Sequence, residues 1–377
     1  YTLIITGGEP LTRPEITLQA VEAGKKAGVT VSVNSNLLLL TPEIGAALKR
    51  LGVNSLLVSC PASDSDIYRS ITRCGDYKKF RSKLELLLSF DIRNLVNMVV
   101  TKKNFPFIRS TARELAGMGV KRFAVTPASL NVEYPNLTEL LDKDQVLTLF
   151  EDLRWCAETL GLEVDTVEAI PKCLFPDWCW EKDYDFTQRS CQAGRMIVSV
   201  SNTGDVRPCP HNPLVYGNLF QESLETVWDK MDIYRNDMVP AFCKSCPSVS
   251  SCNGACRTNG MAVTGLLTEP DRLTVGHTNM PNKDKKEIKI NDDSEVRFKG
   301  RLRWRKEKDG YYSVTSAVSH RNLMVVNEEM FRFIYWLEKS LPLTIMELKE
   351  NSSDDSSLEA FTAIIETVIR KEFVSVA

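Results

Sequence analysis

Short apolar runs rich in β-branched residues alternate with longer amphipathic stretches from Tyr1 to Thr126. This alternation is typical of βα units and a parallel sheet, so we expect an α/β fold, either a barrel or an open sheet. The predicted strands are Leu3–Thr6, Val29–Asn34, Ser55–Ser59, Leu95–Thr101 and Arg122–Thr126. The predicted helices are Pro14–Lys26, Pro42–Leu51, Tyr77–Phe90 and Phe107–Met118.

The pattern becomes less regular further along the chain. One long helix is predicted over Leu137–Leu162 and a strand over Glu163–Val167, followed by an irregular segment rich in Pro, Trp and Asp from Ile170 to Gln188. A predicted hairpin turns at Asn202-Thr203-Gly204-Asp205, where residues that tolerate positive φ are concentrated. We therefore expect a large α/β domain over residues 1–168 and a small cysteine-rich α+β domain over residues 169–278.

The last hundred residues have a third pattern. A polar, lysine-rich stretch at 279–293 is predicted to be a linker. Alternating strands around Lys308-Asp309-Gly310 and helices at Glu328–Lys339, Thr344–Lys349 and Ser356–Lys371 then predict a winged-helix-like module over 294–377.

Composition narrows the class of protein. The 47 basic and 49 acidic residues nearly balance, which argues against a broad nucleic-acid or membrane-surface partner. No apolar run is long enough to span a bilayer and no secretory signal is present, so we expect a cytoplasmic protein. The 11 cysteines are clustered, which fits reduced metal-binding thiols better than a disulfide framework.

Six of those cysteines fall between Cys191 and Cys256. They follow the pattern Cys191-x12-Gly204-x4-Cys209, then Cys243-x2-Cys246-x5-Cys252-x3-Cys256. Thiols at such short intervals can converge on one centre, and soft sulfur ligands select zinc or iron–sulfur clusters. A zinc ribbon built on Cys243, Cys246, Cys252 and Cys256 is one possibility.

Polar residues follow the predicted strands where ligands bind in such folds. Gly7-Gly8-Glu9-Pro10 follows the first strand, Ser35 lies at the end of the second and Ser59 at the end of the third. Two glycines let a backbone approach a ligand closely, and a neighbouring carboxylate can pair with an ammonium group.

The Gly-Gly-Glu-Pro segment and the cysteine array together resemble a radical S-adenosylmethionine enzyme with a SPASM auxiliary-cluster domain, over about Tyr1 to Gly276. The resemblance implies a partial TIM-like (β/α) barrel that binds S-adenosylmethionine. It implies that Gly7, Gly8, Glu9 and Pro10 hold the methionine amino group. Ser35, Ser59 and Asn97 are the positions that match its ribose and carboxylate contacts.

In that family the array holds two [4Fe–4S] clusters with interleaved ligands. The resemblance assigns Cys191, Cys209 and Cys256 to the first cluster and Cys243, Cys246 and Cys252 to the second. The fourth ligand of the first cluster is expected upstream, with Cys179 preferred over Cys173 because it is nearer in sequence. No cysteine follows Cys256, so the expectation is that Asp271, His277 or a water completes the second cluster, or that this cluster is open or labile.

The family's defining Cys-x3-Cys-x2-Cys motif does not occur in the 377 residues. The expectation from its absence, and from a first residue that is not Met, is that an N-terminal segment carrying this motif and a third cluster is missing. The alternative is a degenerate relative that does not cleave the cofactor.

The residues after Cys209 bear on which activity is expected. Sulfatase-maturing members of the family have an Asp after the cysteine that corresponds to Cys209, whereas Pro210 and His211 follow here. His211 is therefore the candidate proton acceptor, with a supporting structural role as the alternative.

The last module, residues 294–377, resembles the PqqD-like element that binds leader peptides by β-augmentation. Its basic residues also fit nucleic-acid binding by a winged helix, or a solvated face; they are Arg301, Arg303, Arg305 and Lys306.

The expected function is hydrogen-atom abstraction from a ribosomally synthesised precursor peptide. The expected partners are that peptide and an electron donor such as a flavodoxin or ferredoxin, without nucleic acid or membrane. The alternatives are a non-catalytic binding protein stapled by zinc or iron–sulfur, and a radical enzyme acting on a protein or small molecule.

Overall fold

Six parallel strands form the central sheet of the computed structural model, in the order in which they occur along the chain. The structure describes residues 2–73, 75–130, 136–181, 184–232, 234, 238–278, 291–307, 310–316, 324–351, 365, 367–369 and 373–376. The chain divides into two units, Tyr1–Asn282 and Lys283–Ala377. No helix among the described residues has the length and apolar character needed to cross a bilayer.

The strands of the sheet are β1 (Thr2–Ile5), β2 (Thr30–Ser35), β3 (Ser55–Ser59), β4 (Asn94–Val100), β5 (Arg122–Pro127) and β6 (Glu163–Asp165). The helices between them are α1 (Pro14–Lys26), α2 (Pro42–Arg50), α3 (Ser65–Thr72), α4 (Tyr77–Ser89), α5 (Ile108–Gly117) and α6 (Lys143–Leu160). All strand pairs are parallel, and Ser59 of β3 pairs with Asn97 of β4. This arrangement confirms the expected α/β sheet and matches a partial TIM-like barrel.

Residues on the two faces of the sheet differ in chemistry. Val31, Val58, Val96 and Val125 are fully buried in one apolar cluster with side chains of the helices. The next residue along the strand after Val31, Val96 and Val125 is polar in each case, namely Ser32, Asn97 and Thr126. Alternate residues of a strand point to opposite faces, so the helices cover one face and the other carries polar groups.

Short elements follow β6. Helix α7 spans Trp178–Glu181, and the strands β7 (Ser199–Val200), β8 (Asp205–Arg207) and β9 (Gly217–Asn218) form a small antiparallel sheet. Four more helices are α8 (Leu224–Lys230), α9 (Ala241–Lys244), α10 (Val249–Cys252) and α11 (Arg257–Thr264). The hairpin β7–β8 turns through the predicted Asn202–Asp205 segment, and Gly204 there has a φ of +83°.

The second unit has its own apolar cluster, which includes Val296, Val314 and Leu337. Its strands are β10 (Glu295–Phe298), β11 (Leu302–Lys306), β12 (Tyr312–Ser316), β13 (Met324–Val326), β14 (Leu343–Thr344) and β15 (Val374–Val376). They form two three-stranded sheets, β14-β10-β15 and β11-β12-β13. Helices α12 (Glu328–Ser340) and α13 (Ile345–Asn351) accompany them.

Three sequence expectations fall wholly or largely on residues that the structure does not describe. These are the linker at 279–293, the Lys308-Asp309 half of the predicted turn, and most of the predicted helix Ser356–Lys371. The winged-helix arrangement therefore stays a prediction.

Candidate functional site

Glu9 joins the loop after β1 to the end of β2. Its Oε1 accepts a hydrogen bond from the Ser35 hydroxyl at 2.7 Å and from the Leu11 backbone N–H at 3.0 Å. Its Oε2 accepts from the backbone N–H of Asn36 at 2.8 Å. The carboxylate therefore fixes the conformation of the Gly-Gly-Glu-Pro loop, which differs from the expectation that it stands ready to pair with an ammonium group.

The two glycines before Glu9 leave open space beside the loop. Gly7 adopts a φ of +143°, and a Cβ added at Gly7 or Gly8 would meet no atom within 4 Å. Both residues are exposed. Their backbone carbonyls are thus available to accept hydrogen bonds from the amino group of a cofactor, which fits the implied binding of S-adenosylmethionine through the backbone.

Ser59 and Asn97 lie side by side on β3 and β4. Ser59 is exposed, whereas Asn97 is buried and its Oδ1 accepts a hydrogen bond from Thr126 at 2.7 Å. Thr126 in turn accepts from the backbone N–H of Val167 at 3.0 Å. The structure thus brings Ser59 and Asn97 to the polar face of the sheet, and it adds Thr126, which sequence reasoning did not identify.

Four thiols line one pocket in the region that follows the sheet. They belong to Cys173, Cys243, Cys246 and Cys252. Cys173 lies in a 3₁₀ turn, Lys172–Leu174, before α7, and its sulfur accepts a hydrogen bond from the Val275 backbone N–H at 3.4 Å. The three predicted ligands of the second cluster are therefore together, and their neighbour is Cys173.

The loop after Cys252 has an unusual backbone. Asn253, Gly254 and Ala255 adopt φ values of 57°, 75° and 56° in succession. The Ala255 N–H donates to the Cys252 carbonyl at 3.2 Å. Burial raises the pKa of the Cys252 thiol, and neighbouring backbone N–H groups and the charge of Lys172 partly oppose that rise. This tight turn places Cys252 in the wall of the pocket.

Lys172 adds a positive charge to the same pocket. Only 3% of its surface is exposed, although lysine is rarely buried without compensation. Burial lowers the pKa of Lys172, while the neighbouring Cys252 thiolate opposes that shift. Sequence reasoning missed this residue, since a single lysine in an irregular segment carries no signal of burial.

Cys191, Cys209 and Cys256 surround Tyr234. Cys191 and Cys209 pack against the Tyr234 and Ala193 cluster. Burial raises the pKa of the Tyr234 hydroxyl, and the charges of Cys191, Cys209 and Cys256 raise it further. The three predicted ligands of the first cluster are therefore also together.

Arg257 lies next to Cys256 in the chain, and its contacts show whether the predicted site of the first cluster suits an anionic group. Its side chain is 1% exposed, its Nη1 donates to the Tyr234 carbonyl at 3.0 Å, and its guanidinium lies 4.9 Å from the Tyr234 ring centroid. Its Nε and Nη2 and the Tyr234 hydroxyl have no hydrogen-bond partner among the described residues. An unsatisfied buried cation beside three thiols is expected where a negatively charged group binds.

The preferred upstream ligand, Cys179, lies elsewhere. Its side chain is fully buried in the apolar cluster of the sheet and helices. Burial raises the pKa of its thiol to about 12, and the charges that act on it come from Glu151 and Arg154 of α6. In this structure Cys179 lies in the apolar core and not with Cys191, Cys209 and Cys256, and its assignment to the first cluster stays a prediction.

Asp271 and His277 also have other contacts. Asp271 is 2% exposed, and its carboxylate accepts hydrogen bonds from Asn259 at 3.0 Å and from the Leu273 backbone N–H at 2.9 Å. His277 is exposed, and its Nε2 lies 2.6 Å from the Phe242 carbonyl oxygen. Neither lines the four-thiol pocket, so the structure does not support the expectation that one of them completes the second cluster.

His211 forms an ion pair with Glu168. Its Nε2 lies 3.3 Å from the Glu168 carboxylate, and this hydrogen bond raises the pKa of the imidazole. This contact gives His211 a partner within the chain, and its assignment as the proton acceptor stays a prediction beside the structural role.

The thiol groups fit clusters better than single ions. Four thiols spread around a pocket suit a [4Fe–4S] group, because each of its irons takes a separate thiolate. The zinc ribbon fits less well, since Cys256 lies with Cys191 and Tyr234 while the other three proposed zinc ligands line the pocket.

Comparison with known proteins agrees with this geometry. The Radical SAM superfamily matches residues 1–105, and SPASM, an iron-sulfur cluster-binding domain, matches residues 191–253. The AdoMet-dependent heme synthase of Methanosarcina barkeri is 25% identical over 296 residues, covering 71% of this chain and 80% of that protein. Mycofactocin maturase MftC of Mycolicibacterium smegmatis is 24% identical over 301 residues, covering 76% of this chain and 73% of MftC.

A solved structure shares the fold. The crystal structure of Streptococcus suis SuiB bound to precursor peptide SuiA has a TM-score of 0.57 at 18% identity, covering 72% of this chain and 64% of SuiB. The polar edge of the sheet and most of the clustered thiols lie within the two matched segments. The chain therefore contains a Radical SAM superfamily domain and an iron-sulfur cluster-binding SPASM domain.

Proposed function

We propose that this chain is a radical S-adenosylmethionine enzyme that modifies a ribosomally synthesised precursor peptide, with two auxiliary [4Fe–4S] clusters in its cysteine-rich region. The observation that carries the proposal is the four-thiol pocket formed by Cys173, Cys243, Cys246 and Cys252 in the same unit as the Glu9 loop. The loop is open to a cofactor, and the pocket of thiols suits an auxiliary cluster.

The residues at the sheet edge bind and orient the cofactor in this proposal. The Glu9 carboxylate holds the loop through Ser35 and Asn36, so that the carbonyls of Gly7 and Gly8 face the methionine amino group. Ser59 and Asn97 are placed for the ribose and carboxylate. When bound and activated at a cluster, S-adenosylmethionine supplies the hydrogen-atom abstraction. The Cys-x3-Cys-x2-Cys motif of that cluster is not among the 377 residues. The direct tests on this chain are therefore its binding of the cofactor and of the auxiliary clusters.

The cysteine-rich region is proposed to hold the auxiliary clusters. Cys191, Cys209 and Cys256 would hold the first beside Arg257, and the four-thiol pocket would hold the second. An external electron donor such as a flavodoxin or ferredoxin would supply the reducing electron.

A peptide substrate is supported by the second unit and by two similar proteins. Strand β11 lies at one edge of its sheet, and no described strand pairs with its outer side. Its residues Arg303–Lys306 are exposed, which suits addition of a peptide strand. MftC is named as a maturase, and the SuiB structure contains its precursor peptide.

A small-molecule substrate is the second candidate, because the heme synthase of Methanosarcina barkeri matches 71% of this chain. In that case the polar face of the sheet would receive a porphyrin precursor, and the second unit would not bind a leader peptide.

Binding measurements separate the two candidates. Fluorescence anisotropy with a labelled peptide encoded beside the gene is expected to show saturable binding, which deletion of Glu287–Ala377 abolishes. Unit 1 has its own apolar cluster and serves as the folded control. Peptide binding that survives the deletion would remove the role of the second unit, and binding of a porphyrin precursor without peptide binding would replace the proposal with the second candidate.

A further inference from the structure

We propose that Cys173 is the fourth thiolate ligand of the second auxiliary cluster and that Lys172 is the buried positive charge that compensates it. This inference rests on the proposed [4Fe–4S] content and adds to it the source of the missing ligand. The family resemblance assigns only Cys243, Cys246 and Cys252 to this cluster, and the sequence contains no cysteine after Cys256.

Cys173 lies in the segment that joins the last strand of the sheet to the cysteine array. The 3₁₀ turn Lys172–Leu174 puts Cys173 in the wall of the pocket opposite residues of α9 and α10. Cys243, Cys246 and Cys252 line the same pocket, so the four cysteines share one cavity. A ligand 70 residues before Cys243 in the chain is therefore close to it in space.

The pocket is held together from a third segment. The Val275 backbone N–H donates to the Cys173 sulfur at 3.4 Å, while the Thr278 carbonyl accepts from the Cys246 thiol at 3.7 Å and from the Ser248 hydroxyl at 2.7 Å. The segment itself is fastened to α6, because Lys143 donates to the Thr274 carbonyl at 2.9 Å. Three separate parts of the chain thus meet at the four thiols.

The burial of Lys172 is a second observation. Lys172 is 3% exposed and lines the same pocket as the four cysteines. Four thiolates bound to a cluster would bring negative charge into this pocket, and a buried cation would offset part of it. Lys172 is therefore placed to supply a compensating charge.

The other candidates for the fourth ligand are engaged elsewhere. Cys179 lies in the apolar cluster of the sheet, Asp271 accepts hydrogen bonds from Asn259 and Leu273, and His277 contacts the Phe242 carbonyl. The sequence analysis offered Cys173 only for the first cluster, whereas the structure places it in the wall of the pocket of the second.

Thiol alkylation followed by mass spectrometry tests the assignment without depending on activity. The full 377-residue chain is alkylated under anaerobic conditions before and after reconstitution with iron and sulfide. We expect Cys173 to be protected in the reconstituted protein to the same extent as Cys243, Cys246 and Cys252. If Cys173 reacts as fast after reconstitution as before, while those three are protected, the assignment is wrong and the cluster proposal stands. If no cysteine is protected and no iron binds, the cluster proposal fails as well.

Matched variants give a second readout. Cys173→Ser is expected to lower the iron content to roughly half, or to convert the electron paramagnetic resonance signal of one cluster to that of a three-iron form. Cys179→Ala is the control. Like Cys173, Cys179 is a cysteine that precedes the array starting at Cys191, but its side chain is buried in the apolar core. Equal iron loss in both variants, or iron loss in Cys179→Ala alone, would contradict the assignment.

The role of Lys172 is tested by redox titration of the reconstituted chain. Lys172→Met preserves the length of the side chain and removes its charge, so we expect the potential of one cluster to become more negative. Lys172→Arg is expected to retain the potential. A potential that is the same in Lys172→Met as in the unaltered chain would show that Lys172 does not compensate the cluster.

Discussion

Glu9 acts on the sheet edge through three hydrogen bonds of its carboxylate to the neighbouring backbone and to Ser35. The sequence predicts that this residue belongs to the site, because Gly-Gly-Glu-Pro follows a strand. It does not predict what the carboxylate binds, since two of its three partners, Ser35 and Asn36, lie at the end of β2, whose distance from the loop depends on the folded sheet.

Replacement of Glu9 tests this role. Glu9→Ala is expected to destabilise the loop by about 1–3 kcal/mol, because the donors of Asn36 and Leu11 lose a charged acceptor. It should also weaken binding of S-adenosylmethionine by tenfold or more, measured by isothermal titration calorimetry. Glu15→Ala is the control, as Glu15 is exposed and pairs with Arg13 on the surface. Unchanged affinity in Glu9→Ala would show that the loop does not hold the cofactor.

Gly254 gives a prediction for the four-thiol pocket. It has a φ of +75°, and a Cβ there would lie 2.7 Å from Pro240 Cδ and 3.9 Å from the Cys243 sulfur. Gly265 has a similar φ of +82°, but its Cβ would meet no atom within 4 Å. Both Gly→Ala variants carry the cost of a left-handed residue, about 1 kcal/mol.

Only the Gly254 variant adds a clash beside the thiols. We therefore expect Gly254→Ala to lower iron binding after reconstitution, while Gly265→Ala retains it. The ratio of iron to protein in the two variants, prepared in parallel, is the measurement. Equal iron content in both would contradict a cluster at this pocket.

The cysteines show where sequence reasoning reaches its limit. Spacing predicts that Cys243, Cys246 and Cys252 lie together, and they line one pocket, because residues within a short segment remain close together in any fold. Spacing cannot choose between Cys173 and Cys179, which are 6 residues apart. The choice depends on the orientation of a 3₁₀ turn and of the short helix α7, and it is decided by whether the side chain packs against the pocket or against α6.

Element boundaries followed the sequence closely where the apolar pattern was strong. The predicted β3 and α1 have the observed limits, β5 ends one residue later than predicted, and β1, β2 and β4 are each shifted by one residue. The predicted long helix Leu137–Leu162 was wrong at its start, because Asp142 and Gln145 form a capping box that begins α6 at Lys143. Helix α3 was missed, since its start is marked only by the Asp64 cap before a short stretch.

The connection from β6 to the cysteine-rich region depends on one ion pair. Arg189 forms two hydrogen bonds to the carboxylate of Asp165, one of them with Nε at 2.7 Å and the other with Nη2. Asp165 is 8% exposed, so the charge of its carboxylate needs a partner. Arg189 lies two residues before Cys191 in the chain. This pair therefore fixes where the first cluster ligand begins.

Arg189→Met is expected to lower the free energy of unfolding by about 2–3 kcal/mol, because it leaves the Asp165 carboxylate buried without its guanidinium. Lys26→Met is the control, since its pair with Glu22 is exposed and contributes about 0.5 kcal/mol or less. Urea unfolding followed by circular dichroism measures both. A loss in Arg189→Met no larger than in Lys26→Met would show that the pair does not stabilise this connection.

On the scale of the whole molecule, the first unit combines two kinds of surface: the polar face of the sheet and the cysteine-lined region. Burial raises the pKa of Cys209 and of Cys243 to about 11 in the absence of metal. These thiols are therefore protonated at neutral pH until a metal displaces the proton, so cluster assembly is expected to release protons and to stabilise the region. The second unit has a separate core, and its proposed role in peptide binding depends on the exposed edge of β11.

Metal analysis of the reconstituted chain tests the central claim most directly. Iron, acid-labile sulfide and zinc are counted on the same anaerobic sample of the 377-residue chain. Two [4Fe–4S] clusters predict about eight irons and eight sulfides per chain, with no stoichiometric zinc. One zinc per chain without iron or sulfide would contradict the account and would favour a zinc-stapled binding protein.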